Sequence, residues 1–214
     1  MLPDSYFERN DNIDDEQFYL PPRLVTHIDD HAIAAVTQLY REYFPAGGHI
    51  LDLMSSWVSH LPEELDYARV VGLGMNQAEL DANQRLNERV VQNLNRVPAL
   101  PFADAGFDGV GICVSVQYLT QPVLVFREIS RVLRPGTPLI VTFSNRCFPT
   151  KAVAIWQSRD DRGHTRVVQQ YFEEAGAWTD IEALDRSPRG WRCDPLYAVV
   201  GRSTGRYGTT PETT

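Results

Sequence analysis

The feature that most constrains the fold is a regular alternation between short apolar runs and helical segments after residue 45. The strand-like runs are His49 to Met54, Ala68 to Gly74, Arg89 to Val91, Phe107 to Val116, Pro138 to Ser144, Trp178 to Asp185 and Pro195 to Arg202. Helical patterns lie near Asn76 to Leu86, Gln121 to Leu133 and Thr165 to Ala175. Apolar strands separated by helices are typical of a parallel sheet covered on both faces. We predict an α/β fold with seven strands, six parallel and the last inserted antiparallel, paired with the sixth as a hairpin at one edge.

An N-terminal arm precedes this pattern. Residues 1–25 are polar and acidic, with an aromatic pair and two prolines, and predict an irregular arm or a short helix. From Asp29 to Phe44 apolar residues recur three and four positions apart, which predicts an amphipathic helix with Asp29 or Asp30 as its N-cap. We assign the arm and helix (1–44) to the same domain as residues 45–202, and expect a disordered tail over 203–214.

Composition excludes several functions. The formal net charge is -8, whereas nucleic-acid binding needs concentrated Lys and Arg, so we expect no nucleic-acid partner. No apolar stretch reaches the roughly 18 residues that span a bilayer, and the N-terminus lacks a signal-peptide pattern. We therefore expect a cytoplasmic protein with no membrane partner. The three cysteines have no spacing typical of a disulfide framework or a metal site.

The segment from residue 100 to 146 carries the most specific motifs. It reads LPFADAGFDG at its start, continues through a helical segment ending in RVLRPG, and closes with PLIVTFSNR. In this order and spacing the segment resembles the second half of class I S-adenosylmethionine-dependent methyltransferases of the small-molecule type. The resemblance implies a Rossmann-like fold, S-adenosylmethionine as cofactor and methyl transfer to a small-molecule substrate. The motif residues themselves identify a fold and carry no chemistry.

The same resemblance assigns the first cofactor contacts to the turn after the first strand, namely Asp52, Leu53, Met54, Ser55 and Ser56. In the family an acidic residue precedes a glycine-rich turn that lets the backbone approach the cofactor. Here the acid is present, but the glycine positions 54, 56 and 58 hold Met, Ser and Val. The loop is therefore either a working variant with serine hydroxyls, or a site altered beyond cofactor binding.

The family also carries an acid at the end of the second strand, where it accepts both ribose hydroxyls. Gly74 stands at that position, followed by Met75 against the adenine and by Asn76, which is either a ribose contact or a helix cap. Since a glycine cannot hold a diol, the cofactor should bind more weakly than in relatives with the acid. We predict that Gly74→Asp tightens binding where the backbone admits a side chain.

Contacts to the adenine edge are expected after the third strand. The resemblance places Asn93 at the family's Asp position and Leu94 at the following backbone amide, with Asn95 as the alternative register. An amide oxygen still accepts from the adenine amino group. Val116, just beyond the fourth strand, completes the predicted cofactor contacts.

Two side chains are candidates for catalysis. Tyr118 lies beyond the fourth strand, where the acceptor would meet the cofactor, and is otherwise a packing aromatic. His27 belongs to the arm, which in this family often covers the acceptor pocket, and is otherwise structural. Methyl transfer needs alignment and sometimes a base. With Tyr19 and Arg23, His27 would form a lid near Tyr118; alternatively Tyr19 and Phe18 cover an apolar edge while Arg23 pairs with a carboxylate of the arm.

The sequence thus predicts methyl transfer from S-adenosylmethionine to a small molecule. The loss of the glycines and of the ribose acid favours one alternative, a non-catalytic binding or regulatory protein with the same fold. A second alternative is a different nucleotide-like ligand that uses the room left by Gly74.

Overall fold

The computed structural model describes residues 2–190 and 193–205, and these ranges contain one sheet. In chain order its strands are β1 His49–Ser55, β2 Arg69–Gly74, β3 Glu88–Val91, β4 Gly109–Cys113, β5 Pro138–Phe143, β6 Trp178–Asp185 and β7 Tyr197–Ser203. The spatial order is β3-β2-β1-β4-β5-β7-β6. Strand β7 runs antiparallel to both of its neighbours, and the other pairings are parallel. The predicted α/β fold, with its antiparallel strand inserted next to the edge, is confirmed.

Helices cover both faces because successive side chains of a strand point to opposite sides. The helices are α1 Asp15–Phe18, α2 Asp30–Tyr43, α3 Gln77–Ala82, α4 Pro122–Val132, α5 Ala154–Gln157 and α6 Asp161–Ala175. Along β1, Leu51 and Leu53 join the apolar cluster under α4 and α6, whereas Ile50 joins the one under α2 and α3. The arm forms a short 3-10 turn, Asp4–Phe7, before α1. The Asp29 side chain accepts from the backbone N–H of Ala32, which confirms Asp29 as the cap of α2.

Some predicted boundaries were wrong. Helix α3 ends at Ala82 and not at Leu86, because the buried Asn83 side chain leaves the helix and donates to the Ser56 carbonyl and the Ser59 hydroxyl. Strand β7 continues to Ser203, one residue into the predicted disordered tail. The rest of that tail, 206–214, lies outside the described residues. Helix α5 was not predicted, since four residues are too few to show a period.

The motif segment from residue 100 to 146, which contains β4, α4 and β5, folds as its residue types indicate. Phe102 packs edge-on against Phe107, with ring centres 5.2 Å apart. Asp108 accepts from the backbone N–H of His49 at 2.9 Å and pairs with Arg134. Gly136 has φ +80°, a conformation that favours glycine, and turns the chain from α4 into β5.

No helix in the described ranges is long and apolar enough to cross a membrane.

Candidate functional site

A cavity of about 320 Å³ lies where the carboxyl ends of β1, β2 and β4 meet the arm. This is the edge at which open parallel sheets bind ligands, and the volume is typical of a small-molecule site. Of the residues predicted from the sequence, those that line it are Tyr19, Arg23, His27, Asp52, Met54, Ser55, Ser56, Gly74, Met75, Asn93, Leu94, Asn95 and Tyr118. Gly74 is the last residue of β2, as predicted, whereas Asp52 lies in the middle of β1 and not in a turn after it, because the pairing with β2 continues to Ser55.

Asp52 is buried at the base of the cavity. Its carboxylate accepts hydrogen bonds from the hydroxyls of Ser55 at 2.5 Å and Ser59 at 2.7 Å. Burial raises the pKa of Asp52 to about 6, and the two hydroxyls oppose this shift. The family's acidic residue is therefore present, with hydroxyl donors in the loop that follows it.

Three non-glycine residues lining the cavity have a left-handed backbone. They are Met54 at φ +59°, His60 at φ +52° and Val114 at φ +48°. This conformation is costly for residues with a Cβ, above all for β-branched valine. Met54 lies inside β1 at the point where its pairing with β2 shifts register, so its left-handed backbone belongs to an irregularity of the strand. Strained backbone concentrated at one cavity is typical of a binding site.

Gly74 is closed off by the backbone of β1. The pairing of β1 with β2 shifts register after Leu53, so that Ser55 lies opposite Gly74. A Cβ on Gly74 would lie 2.2 Å from the Ser55 carbonyl oxygen, too close for any residue but glycine. The condition for the predicted benefit of Gly74→Asp is therefore not met, because the backbone admits no side chain there. The idea that Gly74 leaves room for another ligand fails for the same reason.

A carboxylate nevertheless lies near the end of β2. Glu79, in the first turn of α3, is only 8% exposed and lines the cavity. It accepts from the Ser56 hydroxyl at 2.6 Å and from the backbone N–H of Arg23 at 2.7 Å. Sequence reasoning missed Glu79. Its position three residues after Asn76 matches a capping pattern, but that signal indicates a helix start and not a ligand.

Asn76 does not line the cavity. Its side chain caps α3 by accepting from the Glu79 backbone N–H, and its amide donates to the carbonyls of Tyr19 and Leu20 at 2.9 Å each. Asn76 therefore ties the arm to α3, as a structural residue would. Leu53 and Val116 are fully buried in the apolar core and do not line the cavity either.

Two asparagines follow β3 and differ in the hydrogen bonds of their side chains. Asn95 donates to Asp15 and to the Tyr118 carbonyl, both at 2.9 Å, and accepts from the Thr120 backbone. This bonding fixes Asn95 as a link between the arm and the loop after β4. Asn93 uses its side-chain oxygen for the Asn95 backbone N–H and lines the cavity, with Leu94 beside it. Ser115, after β4, presents a buried hydroxyl that makes no hydrogen bond within the described ranges.

The arm is held over the cavity by buried charges. The Lys151 ammonium is fully buried, 3.4 Å from a carboxylate oxygen of Asp15 and 3.5 Å from one of Asp11. Arg9 donates to the same Asp15 carboxylate at 2.7 Å. Trp57 donates to the Val25 carbonyl at 3.0 Å from the opposite side. The arm is therefore an integral part of the fold.

His27 and Tyr118 line the cavity on either side of Phe148, a residue that sequence reasoning missed. The Phe148 ring centre is 5.3 Å from the His27 ring and 5.9 Å from the Tyr118 ring. The Tyr118 hydroxyl accepts from the Phe148 backbone N–H at 2.8 Å, and burial raises its pKa to about 12. Burial lowers the pKa of His27, so its imidazole is neutral at pH 7. Of the two, only His27 is suited to take a proton.

The described ranges contain no group of three or more side chains placed to hold a metal ion. The cavity offers carboxylates, hydroxyls, amides, two guanidinium groups and two imidazoles, those of His27 and His60; burial lowers the pKa of His60 to about 4.

The comparisons with known proteins agree with this geometry. Residues 54–141 match a family model described as a methyltransferase domain. Demethylmenaquinone methyltransferase of Corynebacterium kroppenstedtii is 31% identical over 145 residues, which are 58% of this chain and 59% of that protein. The chain thus spans about three fifths of the length of the curated relative it matches.

Solved structures share the fold. An S-adenosylmethionine-dependent methyltransferase from Mesorhizobium loti gives a TM-score of 0.55 at 14% identity, covering 78% of this chain and 97% of the other. The [4+2]-cyclase SpnF gives a TM-score of 0.60 at 15% identity, covering 86% and 89%. At this identity the likeness shows the fold alone, and SpnF is named for a reaction other than methyl transfer.

The strand order, the cavity at the carboxyl ends and the sequence match define a Rossmann-like methyltransferase fold. In strand order, and in sequence over residues 54–141, the chain is similar to class I S-adenosylmethionine-dependent methyltransferases.

Proposed function

We propose that the protein binds S-adenosylmethionine in this cavity and transfers its methyl group to a small molecule. The observation that carries the proposal is the left-handed backbone of Met54, at a position where the resemblance implies a glycine. The cavity at the strand ends and the name of the curated relative support it.

The cavity residues suit the cofactor apart from the ribose position. The Ser55 and Ser56 hydroxyls would meet the amino-acid part of the cofactor, as the resemblance implies. Glu79 would accept from the ribose hydroxyls in place of the acid that Gly74 excludes. The Asn93 side chain would face the adenine amino group, with Met75 against the ring. The unpaired Ser115 hydroxyl adds a further donor at the end of β4.

When bound, S-adenosylmethionine supplies a methyl group on a positively charged sulfur. The residues of this chain would then exclude water, align the acceptor and receive its proton. The neutral imidazole of His27 is placed at the cavity and is suited to that last role. Tyr118 would position Phe148 through its hydroxyl and would keep its own proton at pH 7.

Calorimetric titration with S-adenosylhomocysteine tests the cofactor site directly. We expect saturable binding with one site per chain. Asn93→Ala should weaken binding by about tenfold, the usual effect of losing one hydrogen bond to a ligand. Asn10→Ala is the matched control, because Asn10 is exposed and bonds Gln157 outside the cavity.

A specific observation also favours a second candidate, a non-catalytic protein of the same fold. The Ser55 carbonyl leaves no room at position 74 for the acidic side chain with which the family holds the ribose. If the folded protein shows no heat of binding with S-adenosylhomocysteine, the methyltransferase proposal fails and this second candidate stands.

A further inference from the structure

Arg23 lines the cavity and has no ionic partner among the described residues. Within the described residues no carboxylate oxygen lies within 4 Å of its guanidinium, which donates only to the carbonyls of Phe18 at 2.8 Å and Pro21 at 3.5 Å. The other cavity arginine, Arg146, pairs with Asp194 at 2.8 Å.

The cavity's carboxylates are already engaged. Asp15 is bonded by Arg9 and Asn95, Asp52 by two serine hydroxyls, and Glu79 by Ser56 and the Arg23 backbone. Within the described residues none of these carboxylates pairs with the half-buried guanidinium of Arg23. Such a cation attracts an anionic ligand, since charged groups taken from water require a partner.

Aromatic rings surround the same guanidinium. Its central carbon lies 4.6 Å from the ring centre of Phe18, 5.5 Å from that of Tyr19 and 5.4 Å from that of Phe148. The rings hold the guanidinium plane in place and add apolar surface to the cavity, because Tyr19 and Phe148 both line it. A planar apolar body can therefore pack beside Phe148 while its charged group reaches Arg23.

We propose that the arm end of the cavity binds an aromatic molecule that carries a carboxylate, with Arg23 holding the carboxylate and Phe148 packing on the ring. That this molecule is the methyl acceptor rests on the proposed function. The binding itself stands without it.

The experiment measures the dissociation constants of a naphthalene carboxylate and of its neutral carboxamide, which has nearly the same shape. Ligand fluorescence reports both. We expect the carboxylate to bind at least tenfold more tightly than the amide, and Arg23→Met to remove that preference. Arg23→Lys should restore part of it. The backbone N–H that bonds Glu79 is present in all of these variants, so this anchor of the arm is preserved.

Arg96→Met is the matched control. Arg96 contacts the arm through Glu16 at 2.6 Å but lies outside the cavity, so its loss should leave the preference unchanged. Equal binding of carboxylate and amide, no binding of either, or an unchanged preference in Arg23→Met would each overturn the proposal. Melting temperatures of the three variants show whether Arg23 serves only to fix the arm.

A parallel titration with S-adenosylhomocysteine separates the two proposals. Carboxylate binding that depends on Arg23 without binding of S-adenosylhomocysteine supports the anion site and removes methyl transfer. Binding of S-adenosylhomocysteine without any carboxylate preference supports the methyltransferase proposal and overturns the anion site.

Discussion

Two regions of the sheet differ in how well they match the family pattern. One is the segment from residue 100 to 146, and the other is the carboxyl-terminal part of β1 and β2. In the first region the residue types agree with the backbone, as where Gly136 occupies a left-handed turn. In the second region, Met54 has a left-handed backbone although it is not glycine, and Gly74 stands where the family has an acid. Residues that build the core therefore match the family's sequence pattern, whereas residues that line the cavity depart from it.

The backbone at Gly74 gives the largest expected effect. Gly74→Ala should lower the free energy of unfolding by about 3 kcal/mol, because its Cβ would meet the Ser55 carbonyl at 2.2 Å. Gly74→Asp should destabilise at least as much and should not tighten cofactor binding. Gly106→Ala is the control, since its Cβ would lie 3.4 Å from the nearest backbone oxygen. Urea unfolding measures all three. A stable Gly74→Asp protein with tighter binding would show that the two strands separate more easily than this geometry indicates.

The raised pKa of Asp52 makes the stability of the protein depend on pH, which gives a second test of the cavity. Its pKa in the folded protein is about 6, against an ordinary value of 3.8. Because the folded state favours the protonated form, this stabilisation is complete below pH 3.8 and is lost as pH rises through 6. The loss should be roughly 3 kcal/mol by pH 7. Asp52→Asn should remove this part of the pH dependence in urea unfolding between pH 4 and 7. Asp66→Asn is the control, because Asp66 is exposed, and it should leave the pH dependence unchanged. An unchanged profile in Asp52→Asn would place the titration elsewhere.

The smallest expected effect lies in the motif segment. A Cβ on Gly136 would meet nothing within 4 Å, so Gly136→Ala tests only the cost of its φ of +80°. We expect a loss of about 1 kcal/mol in the free energy of unfolding. Gly106→Ala, in the same segment without a positive φ, should cost less. Equal effects at the two glycines would remove the conformational explanation of the turn.

Truncation of the arm is a less direct test of a lid than a change at Arg23. Removing residues 1–26 would take away both carboxylates that face the buried Lys151. Loss of the thermal transition in such a protein would then report stability. The lid over the acceptor stays a prediction, and the alternative in which Arg23 pairs with a carboxylate of the arm does not describe this structure.

The sequence by itself determined the sheet and most of its elements, because apolar periodicity and turn residues act locally. The strand at Trp178–Asp185 and the cap at Asp29 follow from residue type and spacing alone. The order of the motifs from residue 100 to 146 likewise indicated the family, because core packing constrains those side chains together.

Only the tertiary structure decided which side chains meet at the cavity. Glu79 reaches it because α3 turns its first residues toward the arm, and Phe148 because the Tyr118 hydroxyl holds its backbone. Gly74 is closed off by an oxygen from a residue 19 positions earlier, brought there by a shift in strand register. Contacts between residues far apart in sequence depend on register and packing, which residue types and spacing do not specify.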